Sequence, residues 1–248
     1  WTIHSHLRME GSWRVIAAEQ VTQQRLAGRD IRAVVASPAW CCLGVRLGML
    51  DVLPTAREHE VVGHLGPDLL GSDWDESKAL ANLARDPERP IGAALLDQRN
   101  LAGIGTLYAA ESLFLQRLHP WSPVGVLSPD EVAALVRRAR RLLRANCEHA
   151  VQSTTGSRLR GEETYVHARS GRECRRCGDT VRVAMIGLPP QERTMFSCPT
   201  CQGGRGPTDD GRPQRPLGSS PGRLGGSPGR SERGTAPRPG GSTYRRKG

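Results

Sequence analysis

The chain has 248 residues, with 35 Lys and Arg residues against 25 Asp and Glu residues, so its formal net charge at pH 7 is +10. This length suits one large domain or two ordinary ones. A basic chain favours an anionic partner such as nucleic acid. From Gln202 to Gly248, however, ten basic and three acidic residues account for +7 of the total, so the charge mainly describes the terminal stretch. No apolar run is long enough to span a bilayer and no signal-peptide pattern is present, which predicts a cytoplasmic protein without a membrane partner.

Residues 1–66 are predicted to form β-strands, because they contain short runs rich in β-forming residues separated by turns. The predicted strands are Thr2–Leu7, Trp13–Ile16, Ile31–Val35 and Cys41–Val45. This pattern is typical of part of a β-sandwich. A sheet that began at Trp1 would be short of strands and would have an open edge, so we expect a partial domain.

The stretch 95–111 predicts two helices joined by a turn. An apolar helical run breaks at Asn100, crosses a turn that contains Gly103 and Gly105, and restarts near Thr106. Glycines permit a tight turn and a close backbone approach, and the free N–H groups at the start of a helix favour a phosphate. An ordinary corner of a helical core also fits, and turn chemistry alone favours that interpretation.

Residues 67–170 are predicted to be helical. Ser128, followed by Pro129 and two acidic residues, indicates a helix start, and the helix should run to about Ala150. Arginines surround its apolar face, and they are more often solvated than bound to phosphate. They are Arg137, Arg138, Arg140, Arg141 and Arg144.

Two C-x-x-C pairs near the C-terminus carry the strongest chemical signal. The four residues are Cys174, Cys177, Cys198 and Cys201. They enclose twenty residues with two predicted strands, Thr180–Ile186 and Arg193–Phe196. This spacing predicts one structural Zn²⁺ held by four thiolates in a domain spanning 171–202. Two disulfides would fit neither the spacing nor a reducing compartment.

The final stretch, 203–248, consists mainly of Gly, Pro, Ser and Arg and has almost no apolar residues. Because such a composition cannot bury a core, it is predicted to be a disordered tail. A basic tail either adds salt-sensitive, non-specific DNA affinity or has no role in binding.

Three motifs together resemble the formamidopyrimidine-DNA glycosylase / endonuclease VIII family. The string LLDQRNLAGIGTLYAAESLF, followed by His119-Pro120, resembles the helix–two-turn–helix element of that family. HLRMEG at residues 6–11 and the four-cysteine hairpin follow the same family pattern, so the resemblance covers roughly residues 1–202. It implies an α+β fold with a partial N-terminal β-sandwich, a helix–two-turn–helix domain and a C-terminal zinc-finger β-hairpin.

The resemblance also implies base-excision DNA repair by a bifunctional DNA glycosylase and abasic-site (β,δ) lyase that removes oxidised bases from duplex DNA. A residue at the Met9 position would fill the gap left by a flipped base. Arg193 would grip the phosphates beside the lesion and assist δ-elimination, since a guanidinium binds phosphate in a bidentate manner. The family usually has Asn in place of Thr106, so a weaker phosphate contact is expected. The implied DNA contacts are Arg8, Met9, Gly103, Gly105, Thr106 and Arg193.

The family's nucleophile is an N-terminal proline amine that attacks the sugar C1′, helped by an adjacent glutamate and a lysine. None of the three can be placed in a sequence that opens Trp1-Thr2-Ile3, so we expect the 248 residues as written to bind DNA without glycosylase activity. A non-catalytic, zinc-stabilised damaged-DNA-binding protein is the alternative. A zinc-ribbon interaction module unrelated to repair is a third interpretation.

The expected partner is duplex DNA with oxidised bases or abasic sites, bound by a monomer in the bacterial cytoplasm, at the nucleoid. The preferred base is not readable from the residues. Overall resemblance favours the endonuclease VIII side of the family.

Overall fold

The computed structural model describes residues 1–8 and 10–215, which belong to one compact unit. Small antiparallel sheets come first, a group of helices follows, and a β-hairpin with a short helix comes after them. This mixture confirms the predicted α+β fold. Within the described residues, none of the helices is both long and apolar enough to cross a membrane.

The N-terminal part consists of two small antiparallel sheets. Its strands are β1 (Thr2–His6), β2 (Ser12–Ala17), β3 (Ile31–Ala36), β4 (Trp40–Val45) and β5 (Met49–Leu53). Strand β1 pairs with β5, and β4 lies between β2 and β3. Two four-residue helices accompany them, α1 (Gln23–Leu26) and α2 (His59–Val62).

Strand β5 was not among the predicted strands, because its five residues follow a glycine turn directly and contain a charged residue. Its pairing with β1 places Asp51 opposite His4, with 3.2 Å between the carboxylate and the ring Nδ1 atom. The indole of Trp13 donates a hydrogen bond of 3.1 Å to Ser5 and so joins the two sheets.

The helical part contains four helices of six residues or more. They are α3 (Glu76–Ala84), α4 (Ile91–Leu96), α5 (Thr106–Gln116) and α6 (Pro129–Arg144). The predicted start of α6 is confirmed: Ser128 and Glu131 form a reciprocal capping box. Its predicted end near Ala150 is wrong, since the Asn146 amide donates to the carbonyls of Leu142 and Ser153 and redirects the chain.

Two of the arginines on α6 have partners within the protein. The guanidinium of Arg140 donates to the Leu69 carbonyl at 3.0 Å and lies 5.5 Å from the ring centre of Trp74. Arg137 lies 3.6 Å from the carboxylate of Glu76. These two side chains therefore help to pack α6 against the preceding segments. The sequence had suggested only solvated or phosphate-binding arginines.

The hairpin predicted between the two cysteine pairs is present as β6 (Arg182–Ile186) and β7 (Arg193–Ser197), followed by α7 (Pro199–Gln202). It packs on α4 at Gly92. A Cβ atom at Gly92 would lie 2.8 Å from Ile186 and 3.1 Å from Met195, so a glycine is needed for this close approach. The hairpin and the helices therefore share one hydrophobic core.

The prediction of a disordered tail from Gly203 is wrong for its first part, 203–215. This segment folds back on β6, where the Gln214 side chain exchanges two hydrogen bonds with the backbone of Val183. A side-chain amide and a buried ion pair, rather than an apolar core, hold this segment on β6. Amino-acid composition does not reveal such contacts. Residues 216–248, the rest of the predicted tail, lie outside the described residues.

Candidate nucleic-acid interface and metal centre

Polar side chains of the central stretch build the turn between α4 and α5. The Gln98 amide donates to the Ile104 carbonyl at 2.8 Å and accepts from the Gly103 N–H at 3.0 Å. Asn100 donates to the carbonyl of Ala94 at 2.9 Å. Because the turn's own side chains satisfy its backbone groups, its shape does not depend on a bound partner.

An ion cluster fixes the first residue of this turn. Asp97 accepts hydrogen bonds of 2.7 Å from both Arg99 and Arg89. The guanidinium groups of Arg99 and, to a smaller extent, Arg89 hold the pKa of the Asp97 carboxyl well below its usual range. The carboxylate therefore stays ionised at neutral pH.

The outer side of the turn is open at the start of α5. Gly103 has a φ of +92°, a conformation that favours glycine. Among the described residues other than Gly105 and its two chain neighbours, no atom lies within 4 Å of a Cβ placed on Gly105. No described side chain caps the start of α5 at this position. With Thr106 as its first residue, α5 thus presents uncapped N–H groups and a positive dipole end, which suit an anionic oxygen.

The four predicted metal ligands come together. Their Sγ atoms all lie within 4.8 Å of one another, with 3.9 Å between Cys174 and Cys201 and 3.4 Å between Cys177 and Cys198. Sulfur ligands about 2.3 Å from a tetrahedral ion lie about 3.8 Å apart, so the cluster fits a four-thiolate metal ion. All four are free cysteines, which excludes the two-disulfide alternative in this structure.

Burial opposes ionisation of two of these thiols. It raises the pKa of Cys201 to about 11 and raises that of Cys198 further. Only a bound cation would favour their thiolate forms at neutral pH, and metal binding here must release protons. Four cysteine ligands would fill all four coordination positions of a tetrahedral ion, so this donor set fits a structural metal ion better than a catalytic one.

Two further predicted DNA contacts, Arg193 and Arg8, are exposed. Arg193 is the first residue of β7, opposite Ile186 in the hairpin register, and its side chain is exposed. Arg8 is exposed in a turn with a φ of +53°, where its N–H donates to the His6 ring. Met9 lies outside the described residues. Helix α5 packs against β7, so the open turn and the hairpin are parts of one framework.

The sequence interpretation missed a buried carboxylate. Glu111 on α5 is completely buried and accepts hydrogen bonds from the N–H groups of Tyr165, Val166 and His167 at 2.7–2.9 Å, and from the Thr154 hydroxyl. It thereby holds the segment that follows α6 against the central helix. The available signal was its position as the one charged residue in a mostly apolar helix, since buried carboxylates need partners.

His167 makes the stability of this region depend on pH. Burial against the Phe196 ring, at a centroid distance of 5.1 Å, lowers the pKa of His167, and the Glu111 carboxylate opposes this only in part. The unfolded chain then binds a proton more readily than the folded protein. Stability should therefore fall as the pH drops below about 6.5, the ordinary histidine value, and level off below the lowered folded pKa.

We expect His167→Gln to remove the part of the pH dependence of stability that is due to this histidine. Thermal unfolding of the protein at pH 7.5 and 5.5 should show a smaller loss of melting temperature for the variant than for the parent. His64→Gln is the matched control, because His64 is exposed. Equal losses in parent and variant would contradict the expectation.

Residues 65–157 match the family model "Formamidopyrimidine-DNA glycosylase H2TH domain". The chain is 50% identical over 214 residues to "Probable endonuclease 8 2" of Streptomyces coelicolor, covering 85% of this chain and 75% of that protein. It is 40% identical over 201 residues to "DNA-(apurinic or apyrimidinic site) lyase Nei2" of Mycolicibacterium smegmatis, covering 81% and 75%.

The fold is similar to that of the formamidopyrimidine-DNA glycosylase of Lactococcus lactis, solved in complex with DNA that contains an abasic site. The TM-score is 0.63 with 22% identity, and the match covers 81% of this chain and 74% of that one. The fold likeness and the identity to the Streptomyces protein agree with the motifs of the turn and the hairpin. The chain therefore belongs to the formamidopyrimidine-DNA glycosylase and endonuclease 8 family.

Proposed function

We propose that this protein acts in base-excision repair, where it binds duplex DNA at oxidised bases or abasic sites as a DNA glycosylase and abasic-site lyase. The observation that carries the proposal is that the uncapped start of α5 and the exposed Arg193 of the hairpin belong to the same packed framework. The 50% identity to a probable endonuclease 8 supports it. Two phosphate-binding groups on a rigid core can position a DNA backbone.

Each group has its own task in this proposal. The N–H groups at Gly105 and Thr106 donate hydrogen bonds to a phosphate oxygen, and the Thr106 hydroxyl adds one short-range donor. Arg193 binds phosphate oxygens in a bidentate manner. Arg8 and Met9 belong to the same DNA-contact set, with Met9 occupying the space of the flipped base.

Zinc is the proposed occupant of the four-cysteine cluster. Four thiolate ligands are typical of structural Zn²⁺, and the distances between the Sγ atoms fit tetrahedral ligation. The ion would lock the ends of the hairpin that carries Arg193.

DNA binding can be tested with the full chain, loaded with zinc. We expect fluorescence anisotropy to show tighter binding to a duplex with a tetrahydrofuran abasic analogue than to the matched undamaged duplex, by about tenfold or more. Arg193→Ala should weaken binding by about tenfold, because a charge-assisted contact contributes at least about 1.5 kcal/mol. It should also lower the slope of log affinity against log salt by about one.

The control is Arg85→Ala, which removes an exposed arginine at the end of α3. Equal affinity for damaged and undamaged duplexes would contradict the proposed function and favour a zinc-ribbon interaction module. An unchanged affinity of Arg193→Ala would contradict the role of that residue alone.

The chemical step needs a separate experiment on the native protein from its source cells. Its intact mass and N-terminal sequence would be determined, and borohydride would be used to trap a covalent Schiff base with abasic DNA. We expect a trapped adduct. Selective binding without an adduct would favour the non-catalytic damaged-DNA-binding alternative.

A further inference from the structure

The segment Gly203–Gln214, here called the C-terminal brace, joins the outer edge of β6 to the residues that follow α5. On the strand side, the Gln214 amide accepts from the Val183 N–H at 2.8 Å and donates to the Val183 carbonyl at 2.9 Å. One side chain therefore satisfies both backbone groups of an edge residue, as a neighbouring strand would.

A buried ion pair attaches the middle of the brace to the same strand. The Arg182 guanidinium binds both carboxylate oxygens of Asp209, and the two side chains are 8% and 0% exposed. This pairing lowers the pKa of the Asp209 carboxyl below its usual range. A buried bidentate pair restricts both side chains to one geometry, whereas an exposed pair would allow many.

The other side of the brace contacts the helical part. A Cβ atom at Gly206 would lie 2.7 Å from the Trp121 ring and 2.9 Å from Ala184, so the backbone passes directly over the indole. The Trp121 indole N–H donates to the Met185 carbonyl, and the His119 ring lies 3.2 Å from the Arg205 carbonyl oxygen. Brace, indole and strand therefore form one continuous packed unit.

We propose that the brace is a positioning element for Arg193, an inference that rests on the proposed function. Residues 182–185 of β6 are held on their outer edge by the brace and by Trp121, and on their inner edge by β7. Arg193 begins β7, opposite Ile186, directly beyond the braced residues. Fixing β6 to the helices thus fixes the direction in which the hairpin tip offers its guanidinium to a phosphate.

A double-mutant cycle tests this coupling. Four proteins would be compared for binding to the tetrahydrofuran duplex: chains ending at Arg215 or at Gln202, each with Arg193 or with Arg193→Ala. The chain ending at Arg215 is the matched control, because it keeps the whole brace. Zinc content would be measured for each protein, so that loss of the metal is not mistaken for loss of positioning.

With the brace present, Arg193→Ala should weaken binding by about tenfold. Without it, the same substitution should change affinity less than about twofold, although zinc remains bound at one equivalent. A purely structural brace would leave the effect of Arg193→Ala unchanged, since independent effects add. That result, or a full chain in which Arg193→Ala has no effect, would overturn the inference.

A milder variant covers the case in which the chain ending at Gln202 does not fold. Gln214→Ala should speed hydrogen exchange of the Val183 amide and reduce the effect of Arg193→Ala in the full chain, whereas Gln24→Ala, on the exposed helix α1, should do neither. An unchanged Arg193 effect despite faster exchange would also overturn the inference. Lesion preference in the parent chain reports on the proposed function separately, so failure of one can be told from failure of the other.

Discussion

Glu111→Ala is expected to lower the free energy of unfolding by about 3 kcal/mol or more, because it leaves several buried donors without an acceptor. The carboxylate serves three consecutive backbone N–H groups, at Tyr165, Val166 and His167. These groups cannot turn towards water while the segment stays packed on α5. The substitution must therefore either bury unpaired donors or release the segment, and both cost stability.

The isosteric variant Glu111→Gln separates charge and hydrogen bonding from volume. Its amide oxygen can still accept from two N–H groups, but its NH₂ group would face the remaining donors. We expect a loss of about 2 kcal/mol, smaller than for alanine.

Urea unfolding of the zinc-saturated protein measures both losses, and hydrogen exchange at residues 165–167 locates them. Glu148→Ala is the control, since Glu148 is exposed. If Glu111→Ala stays within about 0.5 kcal/mol of the parent, the typical range for surface substitutions, the network does not stabilise the fold.

Cys198→Ser is expected to abolish stoichiometric zinc binding and to lower the melting temperature by about 10 °C or more. Cys198 is fully buried, and the hairpin it anchors belongs to the same core as α4 and α5. Structural zinc sites contribute several kcal/mol of folding free energy, and 1 kcal/mol corresponds to about 2–4 °C for a chain of this size. Loss of the ion should therefore loosen β6, β7 and the brace together.

Metal analysis by mass spectrometry and a thermal scan with and without a chelator check this prediction. Cys147→Ser is the matched control, because Cys147 is exposed and lies outside the cluster. The control should retain one zinc ion and the parent melting temperature. One equivalent of zinc in Cys198→Ser would show that four-thiolate ligation is wrong.

The metal centre and the central turn could be predicted from sequence because local spacing determines them. Two C-x-x-C pairs around a hairpin leave few geometries other than a closed site. In the central stretch, Gly103 and Gly105 indicate a turn wherever it lies in the fold. The start of α6 is equally local, since Ser128 and Glu131 satisfy each other's backbone groups.

The supports of the site could not be predicted, because each depends on residues far apart in the chain. Glu111 meets its donors 43 to 56 residues later, and Arg182 meets Asp209 27 residues later. These groups become buried only when the distant segments pack together. Composition suggested a disordered tail from Gly203, since side-chain hydrogen bonds to an open strand edge leave no trace in apolar content.

Four thiols spaced for one metal ion, a glycine turn before a helix start at Gly105 and an arginine in a predicted hairpin can all be read from the sequence. Their chemistry and their spacing along a few residues are properties of the chain. How these groups are held depends on long-range packing, through the buried Glu111 carboxylate and the brace on β6. Those contacts exist only after distant segments have been desolvated against one another, which is when a single unpaired donor or charge becomes costly.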